Sequence, residues 1–316
     1  VENILDDNHN RAIEDFHTAR RKATLDKLTA NLTGRAAKLL PFDTIRHELR
    51  QQNPFYRGVQ EIPLDLIVGS VGRYREFTRR FLPLADSSRE RWANVDTLAA
   101  TTGWPPIDVY LVGGVYFAND GNHRVSVARY LEMTTIEACV WEYPVSVRIN
   151  PDDTLDAVLI RLGEQNFMEK TRLDERFPTH TIRFTAPGRY AELLAQIEAL
   201  RQILEELDGA EMPYEESVAA WYEMKYLPTV QIIRSSTLLA DFPGRTEADL
   251  YAWLSLYHDK LREIYGDYEN LADLAQILAE HHKEGSIGRV TCHARRLLGH
   301  NELPPLGDVT PNTLLA

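Results

Sequence analysis

The stretch PIDVYLVGGVYFANDGNHRVSVARYL, residues 106–131, constrains the fold more than any other part of the chain. Two runs rich in Val, Tyr, Ile and Phe meet at Gly113-Gly114, the pattern of a β-hairpin. The second run stops at Asp120-Gly121, and from His123 to about Glu132 the spacing becomes helical. A carboxylate, a glycine, a histidine and an arginine therefore fall together at a strand-to-helix junction. The helix start offers unpaired amides and the positive end of a dipole, and Gly121 lets backbone approach a ligand closely. Arg124 adds a fork that matches phosphate oxygens, His123 can hydrogen-bond or shuttle a proton, and Asp120 can orient either or bind Mg²⁺. A turn in which Asp120 caps the helix and Arg124 pairs with a carboxylate explains the same residues equally well. Residue chemistry alone leaves both readings open.

The surroundings order themselves around this junction. Residues 8–32 have helix-forming composition, with Ile13, Phe16, Ala19, Ala23 and Leu25 as a partial apolar stripe, and a second helix follows Pro41 and Asp43. VQEIPLDLIVGS reads as a strand, a turn and more extended chain. RYREFTRRFLPL carries Tyr74, Phe77, Phe81 and Leu82 at helical spacing, and ERWANVDTLAATTG carries Trp92, Val95 and Leu98 on one helical face. TIEACVWEY is a further strand. The expected fold class is α+β, with a helical arm over 1–57, a mixed domain over 58–145 and a mainly helical domain over 146–316. In the last, TIRFTAP is the one strand candidate. RYAELLAQIEALRQILEELDG, EESVAAWYEMKYL, TEADLYAWLSLYHDKLREIYG, NLADLAQILAEHH and RVTCHARRLLG are helical candidates.

Charge bears on the choice of partner. The net charge is −12, residues 1–150 are close to neutral, and nearly all the excess acid lies beyond them. The acidic half repels a phosphodiester backbone, so nucleic acid is disfavoured and a local anion site belongs in the first half. No apolar run approaches the ~20 residues that span a bilayer, and the polar start VENILDDNHN is unlike a signal peptide. With Cys139 and Cys292 far apart and no CxxC, the expected setting is the cytoplasm, with neither a zinc site nor a disulfide framework.

A second candidate loop is VGSVGRYREF, where the amides of Gly69, Ser70 and Gly72 could line a phosphate site and Arg73 or Arg75 neutralise charge. Glu76 and Asp65 are carboxylates suited to activating a hydroxyl. The opposing reading is a connection with solvated arginines. In DFPGRTEADLYAWL, Thr246 and Asp249 approximate a capping box and leave only Arg245 over. His281-His282 fit a helix C-terminal dipole better than a metal, and His258 and His293 lack partners at ligand spacing. Tyr222, Tyr226, Trp221 and Trp253 read as core aromatics, and Cys139 as a buried strand residue.

EIPLDLIVGS, then PPIDVYLVGGVYFANDGNHRVSVARYL, then IEACVWEY, resembles the ParB/sulfiredoxin superfamily over roughly residues 58–145. It is most similar to bacterial proteins with a ParB-like N-terminal domain whose usual motif reads Asp-Gly-His-His-Arg, and IVGSVGRYREFTRRFLP also fits that subset. The resemblance implies nucleotide phosphate binding, with CTP in the partition proteins, ATP in sulfiredoxin and ADP in a free-serine kinase. Carried over position by position, Gly121, Asn122, His123 and Arg124 meet phosphate with Gly69, Ser70 and Arg73 in support. Asp120, His123 and Glu76 would be the catalytic candidates, and Asp120 would sit near Mg²⁺. Asn122 replaces the cysteine that sulfiredoxin needs and the histidine usual in the near family, which argues against sulfinic-acid reduction and puts catalysis in question. No helix-turn-helix or basic surface marks a centromere-binding protein, and the metal-dependent carboxylate cluster of a nuclease does not assemble from the sequence. The resemblance thus makes nucleotide binding the expected function, and leaves open whether Mg²⁺-dependent nucleotide hydrolysis or phosphoryl transfer to a small molecule takes place at this corner. The alternatives are a nucleotide-gated regulatory or DNA-associated module, in which binding changes a homodimer or a partner surface, and a corner that is kept for structure alone while the helical half works through protein contacts.

Overall fold

The computed structural model describes residues 2–33, 35–49, 53–236, 238–256, 258, 261–262 and 268–283. RVTCHARRLLG, Cys292 and His293 lie outside them, as do the side chains of His281 and His282. The protein is mixed α+β and divides into two compact units, Val1–Leu162 and Gly163–Ala316. No described helix is long and apolar enough to cross a membrane.

The first unit is built on six strands: β1 (Leu40–Pro41), β2 (Phe55–Pro63), β3 (Ile67–Ser70), β4 (Ile107–Val112), β5 (Val115–Asp120) and β6 (Thr135–Tyr143). Their order is β1-β3-β5-β4-β6-β2. β3 runs parallel to β1 and β5, β4 is antiparallel to β5 through the Gly113-Gly114 turn, and β6 is parallel to β4. Consequently the C-terminal ends of β3 and β5 and the start of β4 share one edge of the sheet. Five helices belong with it: α1 (Glu2–Thr33), α2 (Phe42–Leu49), α3 (Arg89–Thr101), α4 (Asn122–Tyr130) and the first half of α5 (Leu155–Thr171).

Both faces of the sheet are covered. Val125 and Ala128 of α4 pack with Ile62, Ile67, Ile107, Val109 and Ala118 on one face. Phe42 and Ile45 of α2, with Val158 and Leu162 of α5, pack with Val112, Val115 and Phe117 on the other. α1 contributes Phe16 and Ala19 to a third cluster with Trp92 of α3 and Val127 of α4. The segments read as a separate arm (1–57) and a mixed domain ending at 145 thus form one compact body, with the strand already under way at Phe55 and the core closed by α5. The expected stripe on α1 is carried by Ala12, Phe16, Ala19 and Ala23, while Leu25 is exposed. On α3 Trp92 is fully buried and Leu98 is exposed.

One expected helix is absent. RYREFTRRFLPL forms turns and single bridges, Lys38 with Thr78 and Phe77 with Pro83. Tertiary bonds override its helical period. The buried Arg79 guanidinium donates to the carbonyls of Lys38, Pro151 and Asp153, and the Thr78 hydroxyl accepts from the amides of Arg80 and Leu82. Phe81 takes a left-handed φ of 58° that ends any helix there.

The described part of the second unit is helical: α6 (Leu173–Arg176), α7 (Arg189–Asp208), α8 (Tyr214–Trp221), α9 (Leu227–Ser235), α10 (Glu247–Leu256) and α11 (Leu271–Lys283), with a π-helical turn over Tyr222–Tyr226. TIRFTAP is not a strand, because the Thr185 amide and hydroxyl bind the buried Asp249 carboxylate instead of a neighbouring strand. Asp249 also accepts from the Thr246 amide while its own amide donates to the Thr246 hydroxyl, the capping box read from the sequence. Trp221, Tyr226 and Tyr251 are core, with Gln196 Oε1 accepting from Trp221 Nε1 and the Tyr251 hydroxyl.

Candidate anion-binding corner

The junction lies at the edge where β3 and β5 end. Gly121 sits at φ 94°, and a Cβ there would fall 2.9 Å from Ile107 Cβ and closer still to its Cγ2. Two independent constraints therefore demand glycine: left-handed backbone and the sheet beneath it. The first hydrogen bond of α4 runs from the Val125 amide to the Gly121 carbonyl, and no side chain caps the helix. The amides of Asn122, His123 and Arg124 stand outside the helix's own ladder, at the positive end of its dipole.

The side chains here are unusual for a packed helix start. His123 is 5% exposed and Asn122 7%, yet neither ring nitrogen of His123, nor Asn122 Oδ1, has a hydrogen-bond partner among the described residues. The imidazole lies edge-on to Phe77 with ring centroids 5.3 Å apart. Burial, reinforced by the positive charges of Arg91 and Arg73, pushes His123 down to about 4, so the ring is neutral at ordinary pH. Arg91 projects from the exposed face of α3 and makes no ion pair among the described residues. Sequence reading missed it, since a surface arginine on a helix carries no local signal.

The other expected site residues are distributed as follows. Arg124 is held inward: Nη1 donates to the carbonyls of Pro105 (2.6 Å) and Pro106 (2.9 Å), and Nη2 to Asp120 Oδ2 (2.5 Å). The turn reading of the Asp120–Arg124 pair thus accounts for this contact, and Arg124 braces the start of β4. Arg73 lies at the corner with Glu76, their ion pair 3.3 Å long and half-exposed. Gly69 is explained by the sheet, because a Cβ there would press on the Leu40 carbonyl and come within 2.7 Å of Phe117 Cε1. Ser70 is fully buried and its hydroxyl donates to the Val71 carbonyl at 3.3 Å. Asp65 lines a separate cleft of about 630 Å³ with Arg79, Arg80 and Arg129, away from the corner. Arg75 lines another with Tyr74 and Arg79.

Among the described residues no three His, Cys, Asp or Glu side chains gather into a metal-binding group. Asp120 immediately precedes Gly121 at the α4 N-terminus and pairs with Arg124 through Oδ2. Elsewhere, the His258 ring packs on Tyr268, Arg245 reaches the Thr185 hydroxyl, and Cys139 is half-buried on β6 instead of fully enclosed. Chemically, the corner offers three open amides, a neutral buried imidazole and two arginines within electrostatic reach. No protein-family model and no curated protein matches the chain.

Proposed function

We propose that the first unit is a ParB/sulfiredoxin-like domain that binds a nucleoside di- or triphosphate, with a terminal phosphate at the N-terminus of α4. The observation that carries the reading is His123: a buried imidazole with both nitrogens unpartnered, beside three open amides and two arginines. Burying polar atoms without partners is costly, so their concentration at an anion-favouring helix end points to a ligand that satisfies them. The edge formed by the ends of parallel strands is also where open sheets with helices on both faces take their ligands. The amides of Asn122, His123 and Arg124 would bind phosphate oxygens, Arg73 and Arg91 would neutralise charge, and Gly121 permits the approach. Asp120 is the group placed to meet a Mg²⁺ ion carried by the phosphates.

Binding without rapid turnover is the form of this reading that the side chains favour. Asp120 Oδ2 is engaged by Arg124 and Glu76 Oε2 by Arg73, which makes both carboxylates weaker bases toward an acceptor. A nucleotide-gated module therefore ranks ahead of a kinase or hydrolase. Calorimetric and thermal-shift titration with CTP, ATP, ADP and GTP, with and without Mg²⁺, tests this. A nucleotide at ~100 times its Kd should stabilise the fold by about 2.7 kcal/mol. Arg73→Ala should remove most of that shift while the unliganded protein melts normally. Arg124→Ala is a poorer probe, since it also frees the Pro105 and Pro106 carbonyls. Absence of any nucleotide response in a well-folded wild type refutes the proposal, and release of orthophosphate at a rate that an added hydroxyl acceptor increases would restore the enzyme reading.

A further inference from the structure

We propose a second ligand site in the first unit, a cleft of about 1030 Å³ that takes a small organic polyanion with a flat apolar body. It stands whether or not the α4 corner binds phosphate, because the cleft uses none of that corner's amides, imidazole or arginines. Its walls are the C-terminal half of α1, the link from Arg35 into β1, the loop after β3 and the first residues of α5. Lys27, Arg35, Lys38, Arg75 and Arg79 line it, and Asp156 is the one carboxylate among the lining residues. Asp156 sits in the first turn of α5, where the helix dipole already offsets its charge. The chain as a whole carries a net charge of −12. A wall with five cations to one carboxylate is therefore a local reversal of sign, and its concave shape focuses the field.

These cations are also unpaired. Carboxylates occupy Arg57, Arg73, Arg80 and Arg124 elsewhere in the unit, whereas none of the five has an ion-pair partner among the described residues. Arg79 is 8% exposed, and its guanidinium meets only the carbonyls of Lys38, Pro151 and Asp153. Carbonyl dipoles hold it in place without cancelling its charge, and a buried charge with no counter-ion is costly. The adjoining cleft shares Arg35 and Arg79 but is nearly balanced, with five cations facing four carboxylates and Arg80 paired to Asp26 at 3.6 Å. The imbalance therefore belongs to this cleft, and an anion there supplies the missing counter-charge. The apolar part of the ligand follows from the rest of the wall, where Tyr74, Leu84 and Leu155 are partly exposed. Arg75 lies over the Tyr74 ring, 5.6 Å from its centroid, so a flat surface stands beside the charges. The size is that of a small-molecule site, which runs to roughly 1,000 Å³.

The test titrates the full chain with pyranine, a fluorescent pyrene trisulfonate, read by anisotropy at about 0.15 M salt. One saturable site is expected. Lys38→Glu combined with Arg75→Glu should weaken it about tenfold or more and leave the melting curve unchanged, since both residues are exposed. Arg21→Glu combined with Arg148→Glu makes the same change in net charge outside the cleft, and should alter affinity by no more than about twofold. Arg73→Ala, at the corner, should leave pyranine binding as it is. Citrate, of similar charge but without a ring, should displace pyranine only at much higher concentration. Absence of saturable binding overturns the proposal. So does an equal loss from both charge-reversal pairs, which marks a general effect of surface charge. Loss with Arg73→Ala but not with the cleft pair puts the probe at the corner and also overturns it. Citrate as potent as pyranine overturns the flat body. Should the cleft pair melt early, Lys27→Glu on the exposed side of α1 takes its place, with the same weakening expected.

Discussion

Holding His123 neutral in the interior has a stability consequence that is separable from any ligand. An unfolded histidine titrates near 6.5, whereas burial and the Arg91 and Arg73 charges push the folded one down to about 4. Between those values the unfolded chain binds a proton that the folded chain refuses, so stability falls as pH falls. Below about 4 both states are protonated and the contribution levels off; above 6.5 both are neutral. The interval of about 2.5 pH units corresponds to about 3 kcal/mol at full extent. His123→Phe removes this linkage while keeping a flat ring against Phe77. It also removes two buried nitrogens without partners, whose desolvation costs roughly 1–3 kcal/mol, against a slightly larger ring. At pH 7 the variant should therefore be as stable as wild type or somewhat more so. Its advantage should then widen by about 3 kcal/mol on going to pH 4.

Urea denaturation at closely spaced pH values measures this difference. Since two units need not melt together, hydrogen exchange over peptides from β4, β5 and α4 should report the transition. Comparing wild type with variant cancels the other titrating groups that the substitution leaves in place. Parallel stability–pH curves would refute the reasoning, because they would mean that the ring is not held neutral. A variant much less stable at pH 7 would refute it differently, by showing that the ring nitrogens are satisfied within the fold.

The neighbouring residues give sharper contrasts. Gly121→Ala should destabilise the first unit by more than about 3 kcal/mol, since a left-handed φ and a clash with Ile107 combine; Gly72→Ala, at φ 83° with open space around its Cβ, should cost only about 1–2 kcal/mol, read by the same denaturation curves. Arg91→Ala should leave the thermal midpoint unchanged and weaken nucleotide affinity about tenfold, the loss of one charge contact with phosphate. Ser126→Ala strands the indole N–H of the fully buried Trp92, which now donates to the Ser126 hydroxyl at 2.9 Å, and should cost about 1–3 kcal/mol with a visible change in tryptophan emission.

Local chemistry made part of this legible in the sequence. The hairpin at Gly113-Gly114, the start of α4 and the Thr246–Asp249 cap all depend on residues close together in the chain, and each formed where its spacing placed it. The failures share a cause as well. RYREFTRRFLPL has a helical period, but its conformation is decided by carbonyls at Lys38, Pro151 and Asp153 reaching Arg79. TIRFTAP has strand composition, but its amide partner is a carboxylate on a distant helix, Asp249. Gly69 and Ser70 looked like a loop for phosphate because glycine and serine serve close packing and ligand approach alike; only the position of Phe117 and the Leu40 carbonyl separates the two. Arg91 was invisible for the converse reason, since its significance comes from where α3 crosses α4.

What distinguishes the corner from an ordinary turn is the uneven satisfaction of polar atoms along α4. A helix packed between a sheet and two other helices has every reason to pair its buried polar groups or replace them with apolar ones. Ser126 does so by accepting from Trp92, and Arg129 by donating to the Leu64 and Ile67 carbonyls, although its Nε stays unpaired. At the first two positions the rule lapses, leaving Asn122 Oδ1 and both His123 nitrogens without partners in consecutive residues. Phenylalanine at 123 would fill the space against Phe77 with no unpaired atom. A role confined to packing gives no reason to keep histidine there, whereas a ligand entering beside three open amides supplies the missing partners and uses the helix dipole. The same atoms that weaken the free protein are then those that bind, so the stability gained by His123→Phe and the affinity lost by it should have a common origin.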